Sequence, residues 1–463
     1  MLSENVMYLA TSVDSQPSVS SVFYGINEET MELYFFTFTP TVKGTHLRFN
    51  NKVQAHISKQ ADGREIKGVQ ISGLCEKVKD KELIEKKIKP LINKSSNSVF
   101  ADYYDLQVSG WYKIVPTRIK YIDFYSNPQF EFLEYKDNQK SFLGNLKYAI
   151  FSRFKVWSQA TRAPFFTASI VPILLGAVIA WGLTGKINLP ILGITLVAGV
   201  FIHAGTNMLN DYFDHTSRND EGNKYATPFS GGSRIIQTGT MSSLKIGMAA
   251  IICFILGSIG ALYLESLVGD QLILSLLIVG CFLGIFYTAD PLRLGYKTLG
   301  EFIVAIGFGP IYTLVSYHIQ TAIVGSPSLS LMMPLYWSMP IGLFIANVLL
   351  MNEFQDYEAD KAVKKNTLVV KLGKEKALKL YKSANFLSYL WIFAGAIMFF
   401  NNAILTLIAL ITIPLARKAI RNAEKNVEKI YELIPTNVYT IGIHFFTGLL
   451  IILGFFLTNI LIV

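Results

Sequence analysis

Residues 189–214 read LPILGITLVAGVFIHAGTNMLNDYFD, a long apolar run that ends in Asn207, Asn210, Asp211 and Asp214. On a helix these four side chains fall near one stripe. A carboxylate at mid-bilayer costs on the order of 3 kcal/mol even on a lenient insertion scale. A membrane-length run that closes on amides and acids must therefore turn them toward water, a cavity or a cation. The same construction recurs where a second run ends in Asn352-Glu353-Phe354-Gln355-Asp356-Tyr357-Glu358-Ala359-Asp360, with Asn352, Asp356 and Asp360 on one stripe.

Nine apolar segments of near-spanning length are expected at 163–184, 189–209, 245–267, 271–289, 301–320, 332–351, 384–401, 403–418 and 437–461. The two polar clusters end the second and sixth, matching places in two consecutive four-span blocks. That pattern reads as an internal duplication with a ninth helix added. With the N-terminus inside, the inner loops hold Arg218, Lys224, Arg234 and Lys245, then Arg293 and Lys297, then the lysine-rich 361–382, then Arg417 to Lys429. The outer loops hold little beyond Lys186. This positive-inside bias sets nine spans with the N-terminus inside, the C-terminus outside and both acidic clusters on the cytoplasmic face of the cell membrane. It also accounts for the net charge of +9 without nucleic acid.

Composition agrees. The chain has 463 residues, 51% hydrophobic and only 16% charged, against roughly 25% charged in soluble domains. Charges are frequent through the first 160 residues, while most of 163–463 is long apolar runs broken by short polar loops. Cys75, Cys253 and Cys281 are far apart and expected to be buried, forming neither a metal pair nor a disulfide framework. The opening residues lack a basic stretch followed by an apolar core, so no secretory signal is expected there. His203, His318 and His444 are scattered through the spans, where packing or helix–helix hydrogen bonds suit them better than metal ligation.

Residues 1–135 alternate as strands: VMYLATSV, SVSSVFYGI, ELYFFTFT, VQAHISK, IKGVQISGLCEKV and GWYKIVPTRIKYIDF, with turn signals such as DSQP between them. TVKGTHLRFNN and DKELIEKKIKPLI read as helices. A small barrel is expected. Residues 136–160 interleave Lys and Arg with aromatics and are expected to lie on the membrane surface. The membrane domain then occupies 161–463.

Carboxylates and amide oxygens are hard ligands suited to Mg2+, which keeps some waters and bridges to phosphate. Two acidic clusters facing each other could hold magnesium on a pyrophosphate. Asn210-Asp211-Tyr212-Phe213-Asp214 with Asp220 resembles the first Asp-rich motif of UbiA-type prenyltransferases, and Asp356-Tyr357-Glu358-Ala359-Asp360 followed by KAVKKNTLVV resembles the second. Arg162-Ala163-Pro164, Tyr287-Thr288-Ala289-Asp290-Pro291 and GYKTLGE at 295–301 match as well. The resemblance covers about 160–463 and implies the UbiA fold: an all-α membrane domain of nine transmembrane helices, here after a β split barrel. The spacing of Asp211, Asp214 and Asp220 is like that of the 1,4-dihydroxy-2-naphthoate prenyltransferases of menaquinone synthesis. In the hydroxybenzoate branch the third Asp falls where this chain has Arg218. TPFSGGSRIIQTG at 227–239 is also more like the menaquinone type.

The resemblance implies that Asp211, Asp214, Asp220, Asp356 and Asp360 hold magnesium. It implies that Asn207, Asn210, Asn352, Arg162 and Tyr287 contact a polyprenyl pyrophosphate or an aromatic, hydroquinone-type acceptor. Pyrophosphate leaves an allylic carbon, and cations stabilise the charge that develops. Lys297 and Arg234 are the candidates, Arg293 a weaker one. Aromatic faces such as Tyr212 and Tyr287 can shield the allylic cation. Other acceptors stay open: 4-hydroxybenzoate, homogentisate, a chlorin or a lipid glycerol. A transporter with a soluble sensor domain is the reading from a different class. The first 135 residues resemble pyridoxamine-phosphate-oxidase-like split barrels, which commonly bind FMN and sometimes deazaflavin or haem. In that resemblance Thr39, Lys43 and Ser21 approach the flavin phosphate.

Overall fold

The computed structural model describes residues 6–13, 16–38, 41–58, 67–96, 109–123, 130–134, 154–217, 227, 229–238, 240–326 and 329–461. Asp220 and Thr39 lie outside them, as does most of the expected surface linker. The chain divides into two compact units, one of 1–157 with 238–241, the other of 158–237 with 242–463.

The first unit is an antiparallel half-barrel sheet. Its strands are β1 (Val6–Val13), β2 (Gln16–Phe23), β3 (Gly25–Ile26), β4 (Leu33–Phe38), β5 (Lys52–Ser58), β6 (Lys67–Val78), β7 (Ser109–Asp123) and β8 (Phe130–Glu134), in the order β2-β1-β5-β6-β7-β4-β3 with β8 on β7. Burial alternates along β1 and β5, the period-2 pattern of a sheet with one covered face. Met7, Leu9, Leu33, Phe35, Ala55, Ile71 and Ile114 fill that face. The β6–β7 register shifts at Ser72/Gly73, where Gly73 pairs with Pro116. Proline has no N–H to give the ladder, so the pairing breaks into a bulge. The Thr117 hydroxyl then donates to the Ser72 carbonyl at 3.0 Å. Helix α1 (Val42–Phe49) starts on Thr41, whose side chain accepts the Gly44 N–H.

The second unit is helical. Seven helices among the described residues are long and apolar enough to cross a membrane: α2 (Ala163–Thr184), α3 (Leu189–Thr216), α4 (Ser243–Val268), α6 (Gly300–Ile323), α7 (Met332–Ala362), α9 (Phe400–Asn426) and α10 (Tyr431–Leu461). Two of the nine expected spans fall short of that standard. Helix α5 (Leu272–Phe286) is apolar but short, and α8 (Lys374–Met398) begins on a lysine-rich turn. Trp337, Phe344, Ile443 and Phe455 build the core among α2, α7 and α10. Backbones approach closely where residues are small: a Cβ on Gly176 would collide with the Thr313 carbonyl oxygen. Helix α6 is interrupted by a π turn at Gly307–Ile311 containing Pro310, since proline cannot continue the i→i−4 ladder. That widened turn forms part of a cavity wall.

Candidate active site

The cavity encloses about 270 Å³ and follows α3 from Thr195 to Asp214, roughly 28 Å of helix at 1.5 Å per residue. One end is apolar, lined by Leu264, Ile273, Leu277 and Val315. The other carries Asn207, Asn210 and Asp214 from α3, and Asn352, Glu353, Asp356 and Asp360 from α7. The i, i+4 spacing that put these groups on stripes in the sequence is what brings both stripes to one space.

Each polar group is held. Asn207 donates to the Thr161 carbonyl at 3.0 Å. Arg162, in the left-handed conformation at φ 53°, directs its guanidinium to Asn210 and forms an ion pair with Asp211. Asp211 also accepts the Ser233 N–H at 3.3 Å. It is buried and braces Arg162 and the 230–233 turn, and is not among the cavity-lining residues. Asn352 accepts from Asn437 on α10 at 2.8 Å. Asp356 accepts the Gly231 N–H at 3.4 Å. Tyr287 lines the cavity, with Gly295 and Gly300 packed against it: a Cβ on Gly295 would stand 2.9 Å from its ring and one on Gly300 3.1 Å from its hydroxyl.

Sequence reasoning assigned no role to Lys365. Its Nζ lies 3.5 Å from Asp360 and 4.0 Å from Asp214, 5.2 Å from the centre of the Tyr296 ring. Burial works to lower its pKa, but Asp360 and then Asp214 outweigh burial and hold it well above the usual lysine range. Tyr296 donates to Asp214 at 2.8 Å. Burial first, then the Asp214 charge, raises its phenol. Lys297 is exposed and Arg234 half-buried, and neither is among the residues lining the cavity. Lys297 instead bridges Asn366 through the backbone, and the Asn366 N–H donates to the Tyr296 carbonyl. The segment chosen for its lysine thus sets the place of a different lysine. Arg293 pairs with Asp290 at the surface. In the first unit, Ser21 is exposed on β2. Lys43 is half-buried in α1, where burial pulls its ammonium below the usual range.

Among the described residues no three His, Cys, Asp or Glu side chains converge tightly enough to hold a metal by themselves. The acid and amide side chains of the cavity's polar end nevertheless offer hard oxygen donors, in two stripes already drawn to a buried cation. That donor set fits Mg2+ completing its shell with phosphate and water.

The model of the UbiA prenyltransferase family matches residues 169–441, more than half of the chain. Over 301 residues the chain is 28% identical to a 2-carboxy-1,4-naphthoquinone phytyltransferase of Synechocystis, covering 65% of this chain and 93% of that one. It is likewise 28% identical over 240 residues to the 1,4-dihydroxy-2-naphthoate octaprenyltransferase of Bacillus subtilis, covering 50% and 71%. Among solved structures, a UbiA homolog from Archaeoglobus fulgidus bound to DMAPP and Mg2+ aligns over 64% of this chain and 98% of its own, at 15% identity and a TM-score of 0.44. A heme binding protein from Mycobacterium smegmatis aligns over 28% of this chain and 53% of its own, at 19% identity and a TM-score of 0.25. The chain belongs to the UbiA prenyltransferase family.

Proposed function

We propose that this chain transfers a polyprenyl group from its pyrophosphate to 1,4-dihydroxy-2-naphthoate, a step of menaquinone synthesis. The observation that carries the reading is one cavity with two acidic helix ends and Lys365 at one extremity and an apolar channel at the other. A diphosphate with a hydrocarbon tail has the same division. Asp214, Asp356 and Asp360 would hold Mg2+, with Asp220 completing the first motif. Bound there, the ion supplies Lewis-acid stabilisation of the leaving pyrophosphate. The chain's own groups do the rest. Lys365 and Arg162 bring positive charge to the polar end, Tyr287 presents a ring beside the reacting carbon, and the apolar walls keep water from the allylic cation. The names of the two naphthoate-type relatives favour that acceptor over 4-hydroxybenzoate, as does the spacing of Asp211, Asp214 and Asp220. The lysines and arginines at the acidic ends of the helices support a multi-pass protein of the cytoplasmic membrane with its active site on the cytoplasmic side.

The test is acceptor-dependent pyrophosphate release by detergent-solubilised protein given geranylgeranyl or farnesyl pyrophosphate. Release should need both Mg2+ and dihydroxynaphthoate, and 4-hydroxybenzoate should substitute poorly. Movement of substrate across vesicles with no release would favour the transporter instead.

For the first unit we propose an FMN-type flavin, its phosphate approached by Lys43, Ser21 and Thr39. The split-barrel resemblance and the half-buried Lys43 ammonium support it. A flavin there could keep the acceptor or product in the electron-rich hydroquinone state. Purified full-length protein should be yellow or become so with FMN, and a colourless protein whose fluorescence titration with FMN is flat would remove the idea.

A further inference from the structure

His203 lies one helical turn from Asn207, about 6 Å toward the apolar end of the cavity. It is buried at 4% exposure, yet it lines the cavity. Its ring is clamped by Phe166 at 5.4 Å and Phe308 at 4.6 Å between centroids. Nδ1 and the Ser169 hydroxyl are 2.7 Å apart. That bond commits one nitrogen to the α2–α3 contact and fixes the ring's rotation. Because His203 lines the cavity and Ser169 holds Nδ1, Nε2 is the ring nitrogen left to meet a molecule bound there. Beside it, Phe308 stacks on Tyr312 at 5.7 Å and 26°, and the Tyr312 hydroxyl donates to the Gly199 carbonyl at 2.9 Å. Both rings line the same wall.

A hydrocarbon tail lying here would leave a buried ring nitrogen with no partner, which is costly. A planar hydroxy-aromatic would not: its face suits Phe308 and Tyr312, and its hydroxyl suits Nε2. A ring anchored by its hydroxyl at His203 also reaches one turn toward Asn207, where the carbon released from a pyrophosphate held at Asn210 and Asp214 must lie. We propose that His203 fixes the aromatic acceptor by hydrogen-bonding a ring hydroxyl through Nε2, and so sets acceptor specificity and the carbon presented for attack. This rests on the prenyl-transfer reading above.

The experiment uses full-length His203→Leu, His203→Gln and Ser169→Ala in detergent, with Mg2+, a prenyl pyrophosphate and dihydroxynaphthoate. His203→Leu should raise the acceptor KM about tenfold or more, since a site built to bond a hydroxyl suffers when that bond is lost. The prenyl-pyrophosphate KM should stay within about twofold. Competitive binding should also change: wild type should prefer 1-hydroxy-2-naphthoate over 2-naphthoate, and His203→Leu should lose that preference. His203→Gln should recover part of it. A helix-to-helix role alone would make Ser169→Ala and His203→Leu alike, with both KM values moving together and the preference intact, and that result overturns the inference. Wild-type protein that transfers to no hydroxy-aromatic overturns the reading beneath it.

Discussion

Asp356→Asn lowers acceptor-dependent prenyl transfer at least about 100-fold while the protein still reaches the membrane. The amide keeps the shape of the carboxylate and can still accept the Gly231 N–H, so the 230–233 turn has no reason to move. It loses the charge. Asp356 and Asp360 are one turn apart and both line the cavity. Like charges that close destabilise each other unless cations intervene. Removing one should therefore leave the empty protein no less stable. What it takes away appears when negative charge leaves with pyrophosphate, and losing one group of an electrostatic clamp typically costs about 2.7–4 kcal/mol of transition-state stabilisation. Steady-state rates beside the yield in the membrane fraction separate the two effects. Near-normal turnover would remove Asp356 from the site, and a parallel loss of yield would mean its role is structural.

The two stripes were legible because their residues contradict their surroundings. Asn207, Asn210 and Asp214 at helical spacing on an apolar run have no comfortable place in a core, and Asn352, Asp356 and Asp360 repeat the anomaly. The strands were legible for a local reason too: VMYLATSV alternates, and it is β1 residue for residue. The short Phe130–Glu134 strand was missed, because its pairing with β7 is set by the partner and little in FEFLE announces it. Helix α8 begins at Lys374, ten residues before the expected 384, because Gly373 caps it while the apolar count starts later. Lys365 was hidden for a further reason. It sits beyond the end of α7, and its position depends on Asn366 meeting Tyr296, a contact between segments seventy residues apart. Spacing along one helix cannot encode such a contact. Lys297, beside the same tyrosine, is exposed and lies off the cavity.

Lys365→Met should be the most damaging substitution in the cavity, for both stability and rate. The side chain is 15% exposed and lies between two carboxylates whose own side chains are 7% and 2% exposed. Removing it takes away the cation that Asp214 and Asp360 share. Breaking a buried charge cluster by deleting one partner costs about 3–5 kcal/mol, so thermal unfolding in detergent should come at a clearly lower temperature. Because Asp360 and Asp214 raise the lysine's pKa, its stabilising effect is complete below the unfolded value of about 10.4. That effect is lost only as pH rises through the higher folded value. The gap between wild type and Lys365→Met should therefore be flat from pH 6 to about 9, and Lys365→Arg should close most of it. Mg2+ with pyrophosphate brings positive charge to the same carboxylates, so it should stabilise Lys365→Met more than it stabilises wild type. Turnover should still fall by at least about 100-fold, since the ammonium no longer meets the leaving group. A variant as stable as wild type, and no more responsive to Mg2+ and pyrophosphate, would mean that Asp214 and Asp360 do not share the charge environment on which the site depends.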